Sequence, residues 1–224
     1  MIKYIFKTIL IFTGLIFLVS PVFATSVAAE KTTEVGQKIL QKLEVNPSLA
    51  SKIVGSADDI SRLSPEDKLK ALKGIQRTGK VFEVKSYIYL KNLNSALTLD
   101  DYFKILDNSF SDPSKILALS KQNGRIILLD EGNSEFGMEH IKLRHVAGYP
   151  PHPISGKGSL FKTNNLDDIK SSIMKVVDDP NANIYMGNNG RYVYESTVQF
   201  YDLQWQKIRV IVSPEGNIIS AFPF

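Results

Sequence analysis

The chain has 224 residues, a formal net charge of +4 and no cysteine. Without cysteine there are no disulfides, so a hydrophobic core must stabilise the fold. The charge is unevenly distributed: residues 25–94 contain 12 Lys+Arg and 8 Asp+Glu, whereas residues 95–224 contain 13 and 15, a net of −2. Bulk charge therefore does not indicate nucleic-acid binding by the C-terminal part.

The first 24 residues have the pattern of a cleavable signal peptide. Lys3 and Lys7 precede an almost wholly apolar stretch, Ile9–Val19, and a small-residue cleavage site ends at Ala24. An uncleaved membrane anchor is the alternative, but the apolar stretch is short for a span of about 20 residues. We therefore expect a secreted or periplasmic protein with no stable membrane association after signal cleavage.

Residues 25–94 are predicted to form a helical N-terminal region. A short helix is expected over Pro47–Val54. Ser64, followed by proline and two acids, predicts the start of a longer helix that ends at Gly79. The partly alternating pattern of Val81–Leu93 fits either a strand or a helix, and both remain open.

Residues 95–224 are predicted to form one α+β domain. Apolar residues at helical spacing indicate a series of helices, and a short apolar run at 125–130 indicates a strand. Ser134 is the predicted cap of the helix that contains two histidines. The predicted helices are 99–106, 112–124, the helix after Ser134, and 166–177.

After residue 180 the hydrophobic pattern changes from a helical to an alternating period. Short turns rich in Gly, Asn and Pro separate the apolar runs, which favours consecutive antiparallel strands. The predicted strands are 184–186, 191–201, 203–213 and 217–222. The expected fold class is therefore α+β, with a helical N-terminal region followed by helices packed on a four-stranded antiparallel sheet.

The three histidines, His140, His145 and His152, lie close together in the sequence. No carboxylate occurs between His140 and Leu166, and the cations in this stretch are Lys142, Arg144, Lys157 and Lys162. Imidazole is the side chain that ordinarily titrates near neutral pH. This composition suits proton transfer on an anionic substrate such as a phosphodiester.

One motif precedes the predicted sheet, and a second covers its last strand. The first is Gly-x-x-His-Ile-x-x-Arg-His at 137–145, and the second is Gly-Asn-Ile-Ile-Ser-Ala-Phe-Pro at 216–223. Their order resembles that of the bacterial toxin-type endoribonucleases grouped with barnase, EndoU, colicin nucleases and RelE, over about residues 124–224. Many of these are C-terminal modules of contact-dependent inhibition and polymorphic toxin systems. Family members more often have threonine and tyrosine at the positions of Ser220 and Phe222.

The resemblance implies a toxin-like endoribonuclease that acts on RNA, with tRNA among the candidate substrates, and a cognate immunity protein as a partner. Cleavage without a metal or cofactor needs a base for the 2′-hydroxyl, an acid for the departing 5′-oxygen and a cation for the phosphorane. His140, His145 and Lys157 are the predicted catalytic residues. The predicted substrate-binding residues are Arg144, His152, Arg191 and Ser220.

The pairing of His140 with His145 sets a condition on the fold. The two are five positions apart, which is about 140° around a helix, so they come together only if the helix ends near His145. His152, in the following Pro-rich loop, is the reserve candidate for the second catalytic role. The loop also contains Lys157, which is flanked by glycines and can reach a phosphate.

Each of these residues also has an ordinary structural interpretation. His140 suits a buried hydrogen bond between helix and sheet, and His145 suits a helix C-terminus. His152 and Lys157 suit an exposed loop, while three histidines also raise the alternative of zinc, although their spacings of five and seven do not suit one helical face. The alternative function is a secreted non-catalytic binding protein on the same scaffold.

The aromatic residues of the predicted sheet allow two interpretations, stacking of unpaired bases or packing in the core. These residues are Tyr192, Tyr194, Phe200, Tyr201 and Trp205.

Overall fold

The computed structural model describes residues 34–39, 41–42, 47–108, 112–122, 124–149, 160–200 and 204–224. The described residues divide into two compact units. One contains the residues up to Tyr89 together with Thr98–Asp107, and the other contains Leu90–Leu97 and the residues from Asn108 onward. Within these ranges, no helix has both the length and the apolar character needed to cross a membrane. The predicted signal peptide lies outside the described residues.

The N-terminal half of the chain is mainly helical and contains a compact aromatic cluster. Phe82, Tyr87, Tyr102 and Phe103 are each at most 2% exposed, and their neighbouring ring centroids lie 5.4–6.1 Å apart. Offset and edge-on ring contacts of this kind stabilise a core. The elements are α1 (Pro47–Ala50), β1 (Ile53–Val54), α2 (Ala57–Ser61), α3 (Pro65–Thr78), β2 (Phe82–Glu83), α4 (Val84–Leu93) and α5 (Leu99–Asp107).

The start of α3 confirms the predicted cap. The Ser64 hydroxyl accepts a hydrogen bond from the Asp67 N–H at 3.0 Å, and Gly79 ends the helix in the left-handed region with φ 70°. The single helix predicted over Pro47–Val54 is wrong, because α1 ends at Ala50 and β1 pairs in parallel with β2. The β-branched residues of β1 favour this extended conformation. Val81–Leu93, for which the sequence allowed a strand or a helix, contains both, first β2 and then α4.

The C-terminal half confirms the predicted α+β class. Strands β5 to β8 form one antiparallel sheet in sequence order, and β3 and β4 form a separate antiparallel pair. Helix α7 packs against β3, β6 and β7, while α6 packs against β8 and β4. The elements are β3 (Ile116–Gln122), β4 (Arg125–Asp130), α6 (Gly137–His145), α7 (Leu166–Asp178), β5 (Asn183–Met186), β6 (Tyr192–Gln199), β7 (Trp205–Val212) and β8 (Ile218–Pro223).

The helix predicted over 112–124 is wrong. Only Pro113–Lys115 forms a helical turn, of the 3₁₀ type, and β3 then pairs with β4 in an antiparallel ladder. A short apolar run fits a buried strand and a buried helix equally well, so its spacing alone did not decide the structure. A tertiary contact accompanies the strand, because the Ser120 hydroxyl donates a hydrogen bond to Asp178 at the end of α7.

Alternation along β5–β8 gives the sheet two different faces. The apolar face includes Ile208, Val210 and Ala221, each completely buried in a cluster with residues of α7. The register places the remaining residues on the opposite side, since Arg209 pairs with both Glu195 and Phe222, and Ile211 pairs with Ser220. We call this second side the polar face; its members include Tyr185, Glu195, Trp205, Lys207, Arg209, Ser220 and Phe222.

Candidate active site

Helix α6 begins at a tight backbone contact that requires glycine. Gly137 has φ 76°, and a side chain there would place its Cβ 2.8 Å from the carbonyl oxygen of Asp130. The predicted cap by Ser134 is wrong, because Phe136 occupies the cap position and no side chain caps the helix. Ser134 instead contributes its backbone carbonyl, which contacts the ring of His140. The glycine of the sequence motif therefore fixes where α6 starts.

The ring of His140 is held in one orientation by the loop that precedes α6. Its Nδ1 lies 2.9 Å from the carbonyl oxygen of Ser134. A carbonyl can only accept a hydrogen bond, so Nδ1 carries the proton and the neutral ring has its lone pair on Nε2. His140 is half-buried. This arrangement leaves Nε2 as the nitrogen able to take a proton.

Helix α6 ends at His145, which meets the condition set by the sequence spacing. The next residue, Val146, is extended, with φ −121° and ψ 129°. The His140 and His145 rings come together, with their centroids 6.1 Å apart and their planes at 67°. The carbonyl oxygens at the end of a helix stabilise a nearby cation. The two imidazoles therefore occupy one site but different environments.

His145 also contacts the terminal strand of the sheet. Its Nε2 lies 3.4 Å from the Ser220 hydroxyl, near the long limit of a hydrogen bond. Its ring lies 5.2 Å from the ring of Phe222, with 31° between the planes. Ser220 is 8% exposed, so this hydroxyl is almost completely enclosed. The phenylalanine at a position where the resemblance favours tyrosine thus provides an apolar surface for the imidazole.

A charged pair extends the site across the polar face. Nε of Arg209 donates to Oε1 of Glu195 at 2.6 Å, and the same oxygen accepts from the Tyr185 hydroxyl at 2.9 Å. Burial raises the pKa of the Glu195 carboxyl, but hydrogen bonds from Arg209, Tyr185 and Asn183 outweigh this effect and hold the pKa below its ordinary value. Glu195 therefore stays ionised and accepts the hydrogen bond that orients the Arg209 guanidinium.

Arg209 was not among the site residues predicted from the sequence, although the alternating pattern of β7 indicates which face of the sheet it occupies. Its guanidinium carbon lies 5.8 Å from the centroid of the Phe222 ring, which also contacts His145. Ile208 and Val210 on either side of it point to the apolar face, so the period-2 pattern places Arg209 on the opposite side. Its pairing with Glu195 is cross-strand and was not visible in local sequence.

Of the other predicted site residues, Arg144 lies near the histidines and Arg191 does not. Arg144 is exposed one turn after His140, on the same side of α6. Arg191 lies in the turn between β5 and β6, and its N–H donates to the Asn188 carbonyl. The strand that follows it, β6, is two strand spacings, about 10 Å, from β8. The backbone therefore does not bring Arg191 beside the histidines. His152 and Lys157 lie outside the described residues.

The aromatic candidates for base stacking differ in how far their rings are exposed. Tyr194 and Phe200 are 5% and 4% exposed and belong to the core. Tyr192 is half-buried, with the guanidinium carbon of Arg125 3.6 Å from its ring centroid. Trp205 is 58% exposed on the polar face. Tyr201 lies outside the described residues, so Trp205 is the one described candidate with an exposed ring.

No family model matches the chain, and no curated protein matches it in sequence. Among the residues that the structure describes, no group of three or more His, Asp or Glu side chains has the proximity needed to hold a metal ion. The chemistry of the site is therefore inferred from its geometry. Two imidazoles, a buried hydroxyl and an oriented guanidinium are arranged around the end of α6 and the polar face.

Proposed function

We propose that the protein is an exported, toxin-like endoribonuclease that cleaves RNA without a metal ion. The observation that carries the proposal is the proximity of the His140 and His145 rings, 6.1 Å apart, where α6 ends beside β8. Paired imidazoles in different environments can act as base and acid on the same phosphodiester. The Ser220 hydroxyl and the Phe222 ring hold His145 in position.

In the proposed reaction the substrate supplies its own nucleophile. Nε2 of His140 takes the proton from the 2′-hydroxyl, and the 2′-oxygen attacks the adjacent phosphorus. The bond from phosphorus to the 5′-oxygen breaks as His145 gives a proton to that oxygen. The products are a 2′,3′-cyclic phosphate and a free 5′-hydroxyl. Lys157 is the predicted cation for the charge of the phosphorane, and Arg144, on the same side of α6 as His140, is a second cation beside the histidines.

The direct test is incubation of the purified protein with tRNA and total RNA in excess EDTA. We expect cleavage, with 2′,3′-cyclic phosphate ends, and no cleavage of DNA, which lacks the nucleophile. A bell-shaped pH–rate profile is expected, because the base must be unprotonated and the acid protonated for the reaction to proceed. A folded sample that cuts no RNA contradicts the proposal, as do 3′-hydroxyl ends or loss of activity on chelation.

Substitution of each histidine separates catalysis from binding. His140→Ala and His145→Ala are each expected to lower kcat by about 10²–10⁴-fold, with a much smaller effect on KM, because they act in the transition state. Lys170→Ala on α7 is the control, since Asp167, one turn away, is the partner of its ammonium among the described residues. Thermal melting confirms that each variant is folded. Equal rates for wild type and both histidine variants would exclude the proposed roles.

Toxicity distinguishes the enzyme from the alternative, a secreted binding protein on the same scaffold. Residues 25–224 expressed in bacterial cytosol should arrest growth, and His140→Ala should relieve the arrest. Co-expression of a cognate immunity protein is expected to have the same effect. Harmless expression of folded protein, together with RNA binding that leaves the RNA intact, favours the binding protein.

A further inference from the structure

We propose that the polar face holds an unpaired stretch of RNA that runs from the histidines to Trp205. This inference rests on the proposed function and specifies its substrate class. The surface, which we call the strand track, is formed by Trp205, Lys207, Arg209, Phe222 and the adjacent Phe224. It combines exposed aromatic rings with cations, which is the chemistry that binds single-stranded nucleic acid.

Trp205 is connected to the histidine site through a single short segment. The N–H of Phe161 donates to the carbonyl of His145 at 2.9 Å. The next residue, Lys162, donates from its ammonium to the carbonyl of Trp205 at 3.1 Å. Trp205 lies four residues before Arg209, whose register partner is Phe222, so about 13 Å of strand separates it from the part of the sheet that His145 contacts. A substrate at the histidines therefore has Trp205 within reach of its neighbouring nucleotides.

Two of the three aromatic rings of the track are exposed to solvent. Trp205 is 58% exposed and Phe224 is 50% exposed. Phe222 is half-buried against His145, so it provides the part of the track that adjoins the catalytic site. A base can stack on an exposed ring only if its own face is free. Bases within a duplex are already stacked on each other, so the track selects unpaired RNA.

The charges of the track complement the phosphate backbone. Arg209 lies against the Phe224 ring, with 4.5 Å between its guanidinium carbon and the ring centroid. A guanidinium has five N–H donors. Within the part of the chain that the structure describes, those of Arg209 bond to Glu195, which leaves donors for a phosphate oxygen. Lys207 is exposed on the same face. Among the described side chains that β5 to β8 direct to this face, Glu195 is the one carboxylate, and Arg209 neutralises it.

The tryptophan makes this inference measurable without any cleavage. Trp205 is the only tryptophan in the chain, so intrinsic fluorescence reports on the track alone. The probe is a single-stranded 2′-O-methyl RNA of mixed sequence, which has no free 2′-hydroxyl and cannot be cut by the proposed reaction. We expect saturable quenching by this probe and by single-stranded DNA. The duplex of the same sequence should produce little quenching.

Variants test whether the ring itself contributes to binding. With a fluorescein-labelled probe, Trp205→Ala is expected to weaken affinity at least about fivefold, the lower end of the contribution of one stacked base. Trp205→Phe should retain most of the affinity. Ile184→Ala is the matched control, because Ile184 is an equally exposed apolar residue, 50% exposed, whose register partner Tyr194 lies on the apolar face. Its affinity should equal that of the wild type.

The outcomes separate this inference from the proposed function. RNA cleavage with unchanged tryptophan fluorescence, or with equal affinities for Trp205→Ala and wild type, overturns the strand track and leaves the endoribonuclease intact. Quenching without cleavage of ordinary RNA supports the track and overturns the catalytic proposal. Equal binding of single strand and duplex overturns the assignment of unpaired RNA.

Discussion

The apolar and polar faces of the β5–β8 sheet are formed by alternate residues of the same strands, and they differ in how their side chains are used. Ile208 and Val210 are completely buried against the helix layer. Arg209, between them, keeps 32% of its side chain exposed and is held by a single carboxylate. Packing on one face thus fixes the backbone from which the other face presents polar groups. Stability and activity should therefore respond separately to substitutions on the two sides.

The largest expected effect on stability comes from the apolar face. Ile208→Ala removes a completely buried side chain and should lower the free energy of unfolding by about 2–5 kcal/mol. Ile211→Ala is the matched control on the polar face, where the side chain is half-buried, and its loss should be clearly smaller. Urea unfolding followed by circular dichroism measures both. Equal losses would show that the two faces do not differ in packing.

A smaller effect is expected from the charged pair on the polar face. Because the native pKa of Glu195 is lowered, its stabilising contribution is present above the ordinary carboxyl pKa, 4.5, and is lost as the pH falls through the lower native value. Glu195→Gln should cost about 1 kcal/mol at neutral pH and make stability less dependent on pH in the acid range. Glu215→Gln, in the exposed turn before β8, is the control. A steeper acid dependence in Glu195→Gln would contradict the assignment.

The smallest effect concerns the hydroxyl that positions His145. Ser220→Ala removes one long hydrogen bond and should lower kcat about three- to tenfold, with a change in the pH–rate profile and little change in stability. Ser196→Ala is the matched control, because that hydroxyl contacts Asp179 instead of a histidine. Its pH–rate profile should match the wild type. Identical profiles for all three proteins would remove Ser220 from the site.

The elements that sequence predicted correctly are those whose signals are local. The cap at Ser64, the apolar stripe of α7 and the alternation of β6–β8 depend on residues a few positions apart. The helix prediction for 112–124 was wrong because the conformation of β3 is decided by its pairing with β4. A short apolar run does not show whether it will pair with another strand, so this conformation could not be predicted from its sequence.

The candidate site divides in the same way. The spacing of His140 and His145 predicted that they meet only where a helix ends, and α6 does end at His145. The role of the Ser134 carbonyl, in contrast, depends on the path of a loop that begins with a tight glycine contact. The Glu195–Arg209 pair depends on strand register. Neither follows from a motif.

The hydrogen bond between the Phe161 N–H and the His145 carbonyl has a consequence for the end of α6. Carbonyl groups in the last turn of a helix have no N–H partner within that helix. The Phe161 N–H satisfies one of them from sixteen positions further along the chain. Phe161 is itself buried in the core, 4% exposed, so the packing of that ring helps to fix the backbone from which the His145 imidazole projects.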